Sequence, residues 1–575
     1  MADRRFQLRP PGPAPNPVPM VDATPTRMTS SRFLHLLAAT AALLILLPLL
    51  AVVLLAIGGS ATDTPAGAWT HLVETGLATY TLNSLGLVLM VGIGVIAVGV
   101  GAAWLTALCE FPGRQWLQAA LVLPLALPGY VIAYAYTDFL QFAGPVQSGL
   151  RDLVGVDGAG WKAAGYWFPQ VRTLPGAALM FVLVLYPYVY LPARAAFAAG
   201  GANLTEAARS LGLGPWAAFA RVALPLARPA IAGGCALALM ETLADYGAVA
   251  HFAVDTFTTG IYKAWFGLGD KGAAARLACL LLGFTLLLVS IERASRGRAR
   301  FATASARTAH AAFRFRGWRG VLAACAAGLP VLLGFALPVA ILLRLAWREA
   351  DVLEWGRFLT LIGNSLMVGG LAAGVAVAVA LLIAYSTRLD RRMQGLGRLA
   401  ALGYAVPGAV IAVGVLVPLA GFDNWLDALM RQTFGVSTGL LITGSVAALV
   451  FAYVVRFLAV ALNNIEAGLA RVTPSMDDAA RAMGLGAGAT LLRVHAPLIA
   501  RSLLIAALLV FVDALKELPA TLAVRPFNFD TLATHAYTLA KDERLGEAAL
   551  PCLAIVLVSL APVLLVSRTL GRRRA

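Results

Sequence analysis

Charge is what this sequence has least of. Asp, Glu, Lys and Arg together make up 13% of its 575 residues, while apolar residues make up 60%. Soluble domains carry about 25% charged and about 45–50% apolar residues, so an ordinary globular enzyme is excluded. Lysine is rarer still, occurring only as Lys162, Lys263, Lys271, Lys516 and Lys541. None of these follows Gly ahead of Ser or Thr. The G-x-x-x-x-G-K-[ST] phosphate loop is therefore missing, and with it the usual chemistry of ATP hydrolysis. Cysteine is equally thin. Cys109, Cys235, Cys279, Cys325 and Cys552 lie in or beside apolar runs without metal-type spacing. They read as small core residues, not as a disulfide framework or a zinc site.

What is abundant is long apolar sequence. Stretches near the roughly 20 residues needed to cross a bilayer centre on Ile45, Gly94, Pro128, Val184, Leu237 and Leu282, then on Val331, Val375, Val410, Ala448, Leu508 and Val558. The net charge of +16 gathers in the segments of one side. Glu292 to Arg319 alone holds eight Arg, and the chain ends "SRTLGRRRA". By the positive-inside rule that side is cytoplasmic, both termini lie on it, and the charge does not mark a nucleic-acid partner. Residues 1–31 contain "RPPGPAPNPVP" and read as a disordered cytoplasmic tail. The run that follows is too long for a cleaved signal and reads as a retained first span.

The chain repeats itself. "NSLGLVLMVG" from Asn83 returns as "NSLMVGGLAAG" from Asn364, and "LPGYVIAY" around Pro128 as "VPGAVIAV" around Pro407. "EAARSLGLGPWAAFARVALP" from Glu206 returns 272 residues later as "DAARAMGLGAGATLLRVHAP" from Asp478, with ten of twenty positions identical. Six spans separate corresponding features, so both copies of the loop lie on the same side. The expected fold is an all-α polytopic membrane protein of about 12 transmembrane helices in two parallel six-helix repeats. The expected boundaries are 32–292 and 320–575, joined by the basic cytoplasmic linker 293–319.

Each loop, 205–225 and 477–497, reads as a short helix, a Gly turn and a second helical stretch closed by Pro225 or Pro497. Thr205 and Asp477 are the expected N-caps, and the following acid suits the helix dipole. Gly212 and Gly484 supply the sharp turn. The spacing E-A-A-x-x-x-G, nine residues, then apolar-x-L-P resembles the EAA loop of ABC importer permeases. Glu206, Ala207, Ala208, Gly212 and Pro225 match in full; Asp478, Ala479, Ala480, Gly484 and Pro497 match with Asp for Glu, and with Ala496 in the Leu position. The resemblance implies the type I ABC importer permease fold and a bacterial inner-membrane location. It also implies two coupling helices docked on a separate ATPase dimer that binds ATP-Mg, and a periplasmic or lipid-anchored substrate-binding protein. The chain itself would be a transport subunit, not an enzyme, with no intrinsic cofactor.

The fifth run of each half carries acids where lipid disfavours them. Glu241, Asp245 and Tyr246 lie in "METLADYGAVAHF", and Asp513, Lys516 and Glu517 in "VDALKELPATLAV". Glu241 aligns with Asp513 and Asp245 with Glu517. Four residues apart, the acids of each pair are expected on one face of a continuous helix, with Lys516 available to neutralise one of them. Together they predict an acidic translocation path suited to a hard cation, although a polyamine or a cationic vitamin would fit the same chemistry. "METLADYGAVAHFAVDTFTTGIYKAWFGLGDKGAAARLA", Met240 to Ala278, further resembles the fused ferric-iron permeases. Fused thiamine and phosphonate permeases share the architecture. Transient cargo contact is expected at Glu241 and Asp513. His251 and His535 are expected on the outward side, and Tyr262, Lys263 and Trp265 in an outward loop. A gradient-driven transporter with parallel repeats is the alternative; it would leave the two repeated loops without a partner.

Overall fold

A computed structural model describes residues 26–58, 67–154, 167–198, 208, 210–296, 313–349, 351 and 354–572. Thr205, Glu206, Ala207 and the middle of the basic segment lie outside the described residues. The first helix starts at Thr26, so the last few residues of the expected tail are helical.

Ten described helices are long and apolar enough to cross a membrane, and two bent pairs raise the number to twelve. One bent pair is Arg114–Ala126 with Gly129–Leu153, turned by 93°. Pro128 causes this turn: it is held extended at ψ 149 and has no amide to continue the helix. The other is Ala487–Leu498 with Ala500–Lys516, turned by 80°. Two expected centres, Val410 and Ala448, fall near the starts of their helices, Gly408–Phe434 and Val446–Leu469. The polar end of the first of these disguised its length. Asp423 there is buried because it accepts the amides of Ile442 and Thr443, which satisfies the carboxylate internally.

The packing units differ from the sequence repeats. One core joins the second to fifth spans of the first half to residues of the first and last spans of the second half, including Ile341, Leu342, Ala549 and Ile555. The other core does the reverse. Ala38, Ala42, Ile45 and Val52 from the first span, with Ala274, Leu277 and Leu281 from the sixth, pack among Val368 to Ala514. Each half therefore lends its first and sixth spans to the other.

The repeated Asn-Ser motif has a structural counterpart. Asn83 Nδ2 donates to the Asp255 carbonyl at 2.9 Å, and Ser84 Oγ accepts from Phe257 N at 3.3 Å. In the second half Asn364 donates to the Asp530 carbonyl at 3.0 Å, and Ser365 accepts from Leu532 N at 2.8 Å. Both clasps hold a short helix opened by a threonine capping box, at Thr256 and at Thr531. These short helices follow the fifth span, at the membrane face opposite the repeated loops.

Candidate functional site

The fifth helices do not run through. Leu224–Ala244 stops at Asp245 and Ala500–Lys516 stops at Glu517, where the backbone turns extended (ψ 138 and ψ 117). Each carboxylate then caps the next short helix: Asp245 Oδ1 accepts from Ala248 N at 2.8 Å, and Glu517 Oε1 from Ala520 N at 2.9 Å. This corrects the expectation of two acids on one continuous helical face. Only Glu241 and Asp513 are helical; their partners sit in the break, where a carboxylate answers amides freed by the interruption.

The two breaks meet. Glu241, Asp245, Asp513, Lys516 and Glu517 line one cavity of about 130 Å³ between the halves, together with Arg456 and residues around Pro128-Gly129. Arg456 was not anticipated as a site residue. Its Nη1 lies 2.9 Å from both Glu517 oxygens, with side-chain exposures of 11% and 3%. The signal was available, since Arg456 is the lone charge in "VAALVFAYVVRFLAVALNNI", and an intramembrane charge marks function or a partner. Lys516 Nζ instead donates to the Leu125 carbonyl at 3.1 Å, reaching across to the bend of the other half. Arg456 and Lys516 align, at the same 272 spacing, with Val184 and Ala244, which also line the cavity. Both cations thus come from the second half, and the cavity holds two more carboxylates than cations.

The repeated Pro-Gly explains how the chains approach so closely. A Cβ on Gly129 would lie 3.3 Å from Asp245 Oδ2, and one on Gly408 only 2.0 Å from Arg456 Nη1 and 2.6 Å from Glu517 Oε1. Glycine lets the backbone lie against the polar groups in each half.

The repeated loops share a turn at equivalent places. Gly212 and Gly484 have φ of +89 and +82. Leu213 N donates to the Ala208 carbonyl at 3.1 Å and Leu485 N to that of Ala480 at 3.0 Å, the closure of a helix end by a left-handed glycine. A π-helical turn follows in both copies, Phe219–Ala223 and Leu491–His495, and leads through Pro225 or Pro497 into the fifth span. Ala208 and Ala480 are buried, so the small residues face the protein. Leu211 and Met483, at matching positions, are 85% and 70% exposed, leaving an apolar knob on each loop. In the second copy the helix is Pro474–Ala482, with Thr473 as N-cap and Asp477 inside the first turn, which corrects the expected cap. Asp477 is instead an anchor. It accepts from Arg388 Nη2 at 2.7 Å and lies 2.6 Å from His495 Nε2, while Arg388 also donates to the Leu469 and Val472 carbonyls. Asp478 is exposed beside Arg481, and Ala479 lies in the same helix.

Other expected positions resolve differently. Tyr262 is 9% exposed and closes the helix Phe257–Tyr262, so it belongs to the interior, not to a surface loop. Lys263 pairs with Asp255 at 2.5 Å. His251 packs edge-on against Tyr134 at 4.8 Å, and burial pushes its imidazole down to about 4. His535 lines a separate pocket with Glu349 and Glu547. Among the described residues, no group of three or more His, Cys, Asp or Glu side chains could hold a metal ion.

Two like-sided halves meeting at broken helices around a charged cavity define a membrane transport protein of the parallel-repeat class. Comparison with known proteins makes this specific. Residues 96–300 match the family described as "Binding-protein-dependent transport system inner membrane component". The molybdenum transport system permease protein ModB of Escherichia coli is 31% identical over 212 residues, covering 35% of this chain and 87% of that one. The Fe(3+)-transport system permease protein FbpB 2 of Haemophilus influenzae is 24% identical over 505 residues, covering 86% of this chain and 90% of that one. The ferric transport system permease protein FbpB of Actinobacillus pleuropneumoniae is 25% identical over 525 residues, covering 86% and 71%. The chain belongs to the family of inner-membrane components of binding-protein-dependent transport systems, and is the permease of an ABC importer with both membrane halves fused in one polypeptide.

Proposed function

We propose that this permease carries ferric iron, delivered by a periplasmic or lipid-anchored binding protein, inward through the cavity between its halves. A separate ATPase dimer with bound ATP-Mg would supply the energy. The loops 205–225 and 477–497 lie on the cytoplasmic face together with both termini, and each engages one ATPase. Asp478 offers an exposed carboxylate on the second coupling helix, Glu206 is its counterpart in the repeat, and Leu211 and Met483 enter apolar grooves on the ATPases. The far-side short helices face the binding protein.

The observation that carries the cargo assignment is the cavity's excess of carboxylates. Hard trivalent ions prefer carboxylate and phenolate oxygen, and Glu241, Asp245, Asp513 and Glu517 supply the first while Tyr246 stands next to Asp245. The molybdenum relative raises a second reading, an oxyanion, for which Arg456 and Lys516 would be the ligands. Arg456 is already engaged by Glu517, and a lining in which carboxylates outnumber cations disfavours an anion.

The test is uptake of labelled ferric iron by proteoliposomes holding the permease, its ATPase and its binding protein. Wild type is compared with Glu241→Ala/Asp513→Ala, with and without ATP on the ATPase side. ATP-dependent uptake, lost in the double variant while the complex still assembles, is the expected result. Binding-protein-stimulated ATP turnover without iron uptake would reject the cargo and leave the permease. Uptake indifferent to ATP would return the gradient-driven mechanism.

A further inference from the structure

Three tyrosines line a cavity that adjoins the charged one. On the far side lies a vestibule of about 640 Å³ whose lining includes Tyr246, Tyr262 and Tyr537 with Asp255, Lys263 and Lys541. The lining of the charged cavity includes Gly247, next to Tyr246 in the chain, and Pro519. Tyr246 and Tyr262 stack at 4.0 Å between centroids, and Tyr537 donates its hydroxyl to Tyr246 Oη at 3.1 Å. Tyr246 and Tyr262 come from the first half and Tyr537 from the second. Tyr262 and Tyr537 are themselves repeat equivalents, offset by the same 275 residues that relate Asp255 to Asp530 and Thr256 to Thr531. The trio is thus a seam where the two halves close on one another.

The seam is also tied to the charged cavity. Tyr262 Oη donates to the Pro519 carbonyl. Pro519 opens the short helix Pro519–Val524, and that helix is capped by Glu517 through Ala520 N. Glu517 in turn holds Arg456. A hydroxyl of the first half therefore clamps the turn that positions the Arg456–Glu517 ion pair of the second.

We propose that Tyr246, Tyr262 and Tyr537 form the outward gate of the path, and that the Tyr262–Pro519 hydrogen bond couples its closure to the Arg456–Glu517 pair. This rests on the reading that cargo moves between the halves. In the conformation described here the gate is shut. Opening must part Tyr246 from Tyr537 and free the Pro519 carbonyl, which loosens the Glu517 cap as cargo arrives. Stacked rings seal a narrow seam against water and small ions, while the phenol oxygens offer a hard cation its first oxygen contacts.

The test separates the gate from the cargo. In the assembled complex, with the five native cysteines replaced, Val184→Cys places one thiol on the charged cavity. Sealed proteoliposomes are treated from the vestibule side, without nucleotide, with a membrane-impermeant thiol reagent. The parent should label slowly, Tyr246→Ala/Tyr537→Ala at least tenfold faster, and Tyr246→Phe/Tyr537→Phe close to the parent because the rings remain. Tyr262→Phe, which keeps the ring and removes the clamp, should label several-fold faster than the parent. An alanine pair that labels no faster than the parent overturns the gate, and a Tyr262→Phe rate equal to the parent's overturns the coupling. A second arm guards against misfolding. Tyr246→Cys/Tyr537→Cys, bridged through disulfides by a short bifunctional methanethiosulfonate, should take up less ferric iron than the same variant unbridged, and reduction should return it to the unbridged level. Full uptake in the bridged protein would also overturn the gate. Absence of iron uptake in parent and reduced variant alike would reject the cargo alone, since labelling reads the gate without cargo.

Discussion

Replacing Arg456 by Met removes a cation whose guanidinium lies 2.9 Å from both oxygens of Glu517, with side-chain exposures of 11% and 3%. Met keeps most of the volume and flexibility of the arginine stem, so the change is mainly electrostatic. The pair is too buried for solvent to take over. Stranding one partner of such a pair costs about 3–5 kcal/mol. The local geometry supports the upper part of that range, because Gly408 presses its backbone against the pair and leaves Glu517 little room to turn toward water. The amide of Ala520 still donates to Glu517, which works toward the lower part. Equilibrium unfolding in mixed micelles, followed by tryptophan fluorescence, reads the loss directly. Arg456→Met/Glu517→Gln strands no charge and should recover about 2 kcal/mol or more relative to the sum of the single variants, a coupling of the size seen for residues in contact. A single variant within about 0.5 kcal/mol of wild type, the range of an ordinary surface substitution, would show that the pair is not a buried ion pair. Strict additivity in the double variant would refute the reasoning equally.

Gly408→Ala should disturb the same pair without touching either charge. The added methyl falls 2.0 Å from Arg456 Nη1, so transport should drop severalfold, whereas Gly129→Ala, whose tightest neighbours lie 3.0 and 3.3 Å away, should have the smaller effect in the same uptake assay. Leu211→Asp/Met483→Asp should weaken co-purification of the ATPase at least tenfold while leaving the monodisperse elution of the permease unchanged, because both side chains are exposed; wild-type ATPase recovery would show that the knobs are not contact points. Arg388→Ala removes the donor that ties Asp477 to the Leu469 and Val472 carbonyls. It should lower transport per ATP hydrolysed more than it lowers ATPase binding, and an unchanged ratio of transport to hydrolysis would exclude Arg388 as the rigid link.

The architecture was legible because it rests on local signals. Apolar length sets a span, and a repeated motif fixes the relation of two halves; the twelve runs and the parallel repeat follow from these alone. The turn at Gly212 and Gly484 was readable for the same reason, since a left-handed glycine acts within a few residues. Contacts between distant segments were not. The partnership of Arg456 with Glu517 joins residues 61 apart, and the meeting of Tyr246 with Tyr537 joins residues 291 apart. Nothing in either segment names its partner. The break at Asp245 was missed because the periodicity of the acids suits a helix. The carboxylate is better satisfied by the amides of the next helix than by a place on the old one. Asp477 was misread as a cap because Pro474, which opens the helix three residues earlier, lies outside the repeated motif.

The reciprocal loan of first and sixth spans has a consequence for how the protein is made. When the ribosome finishes the first half, the core that its second to fifth spans will share still lacks the helix Leu545–Arg572, which is translated after all the other described spans. At about 5–20 residues per second, the remaining chain takes roughly 15–60 s to arrive. Through that interval the first half sits in the bilayer with an unfilled face, and its acids lack the Arg456 and Lys516 that will later share their cavity. A message truncated just before that helix leaves the first of the two cores open, while the second, which draws on nothing beyond Phe529, already has all its residues.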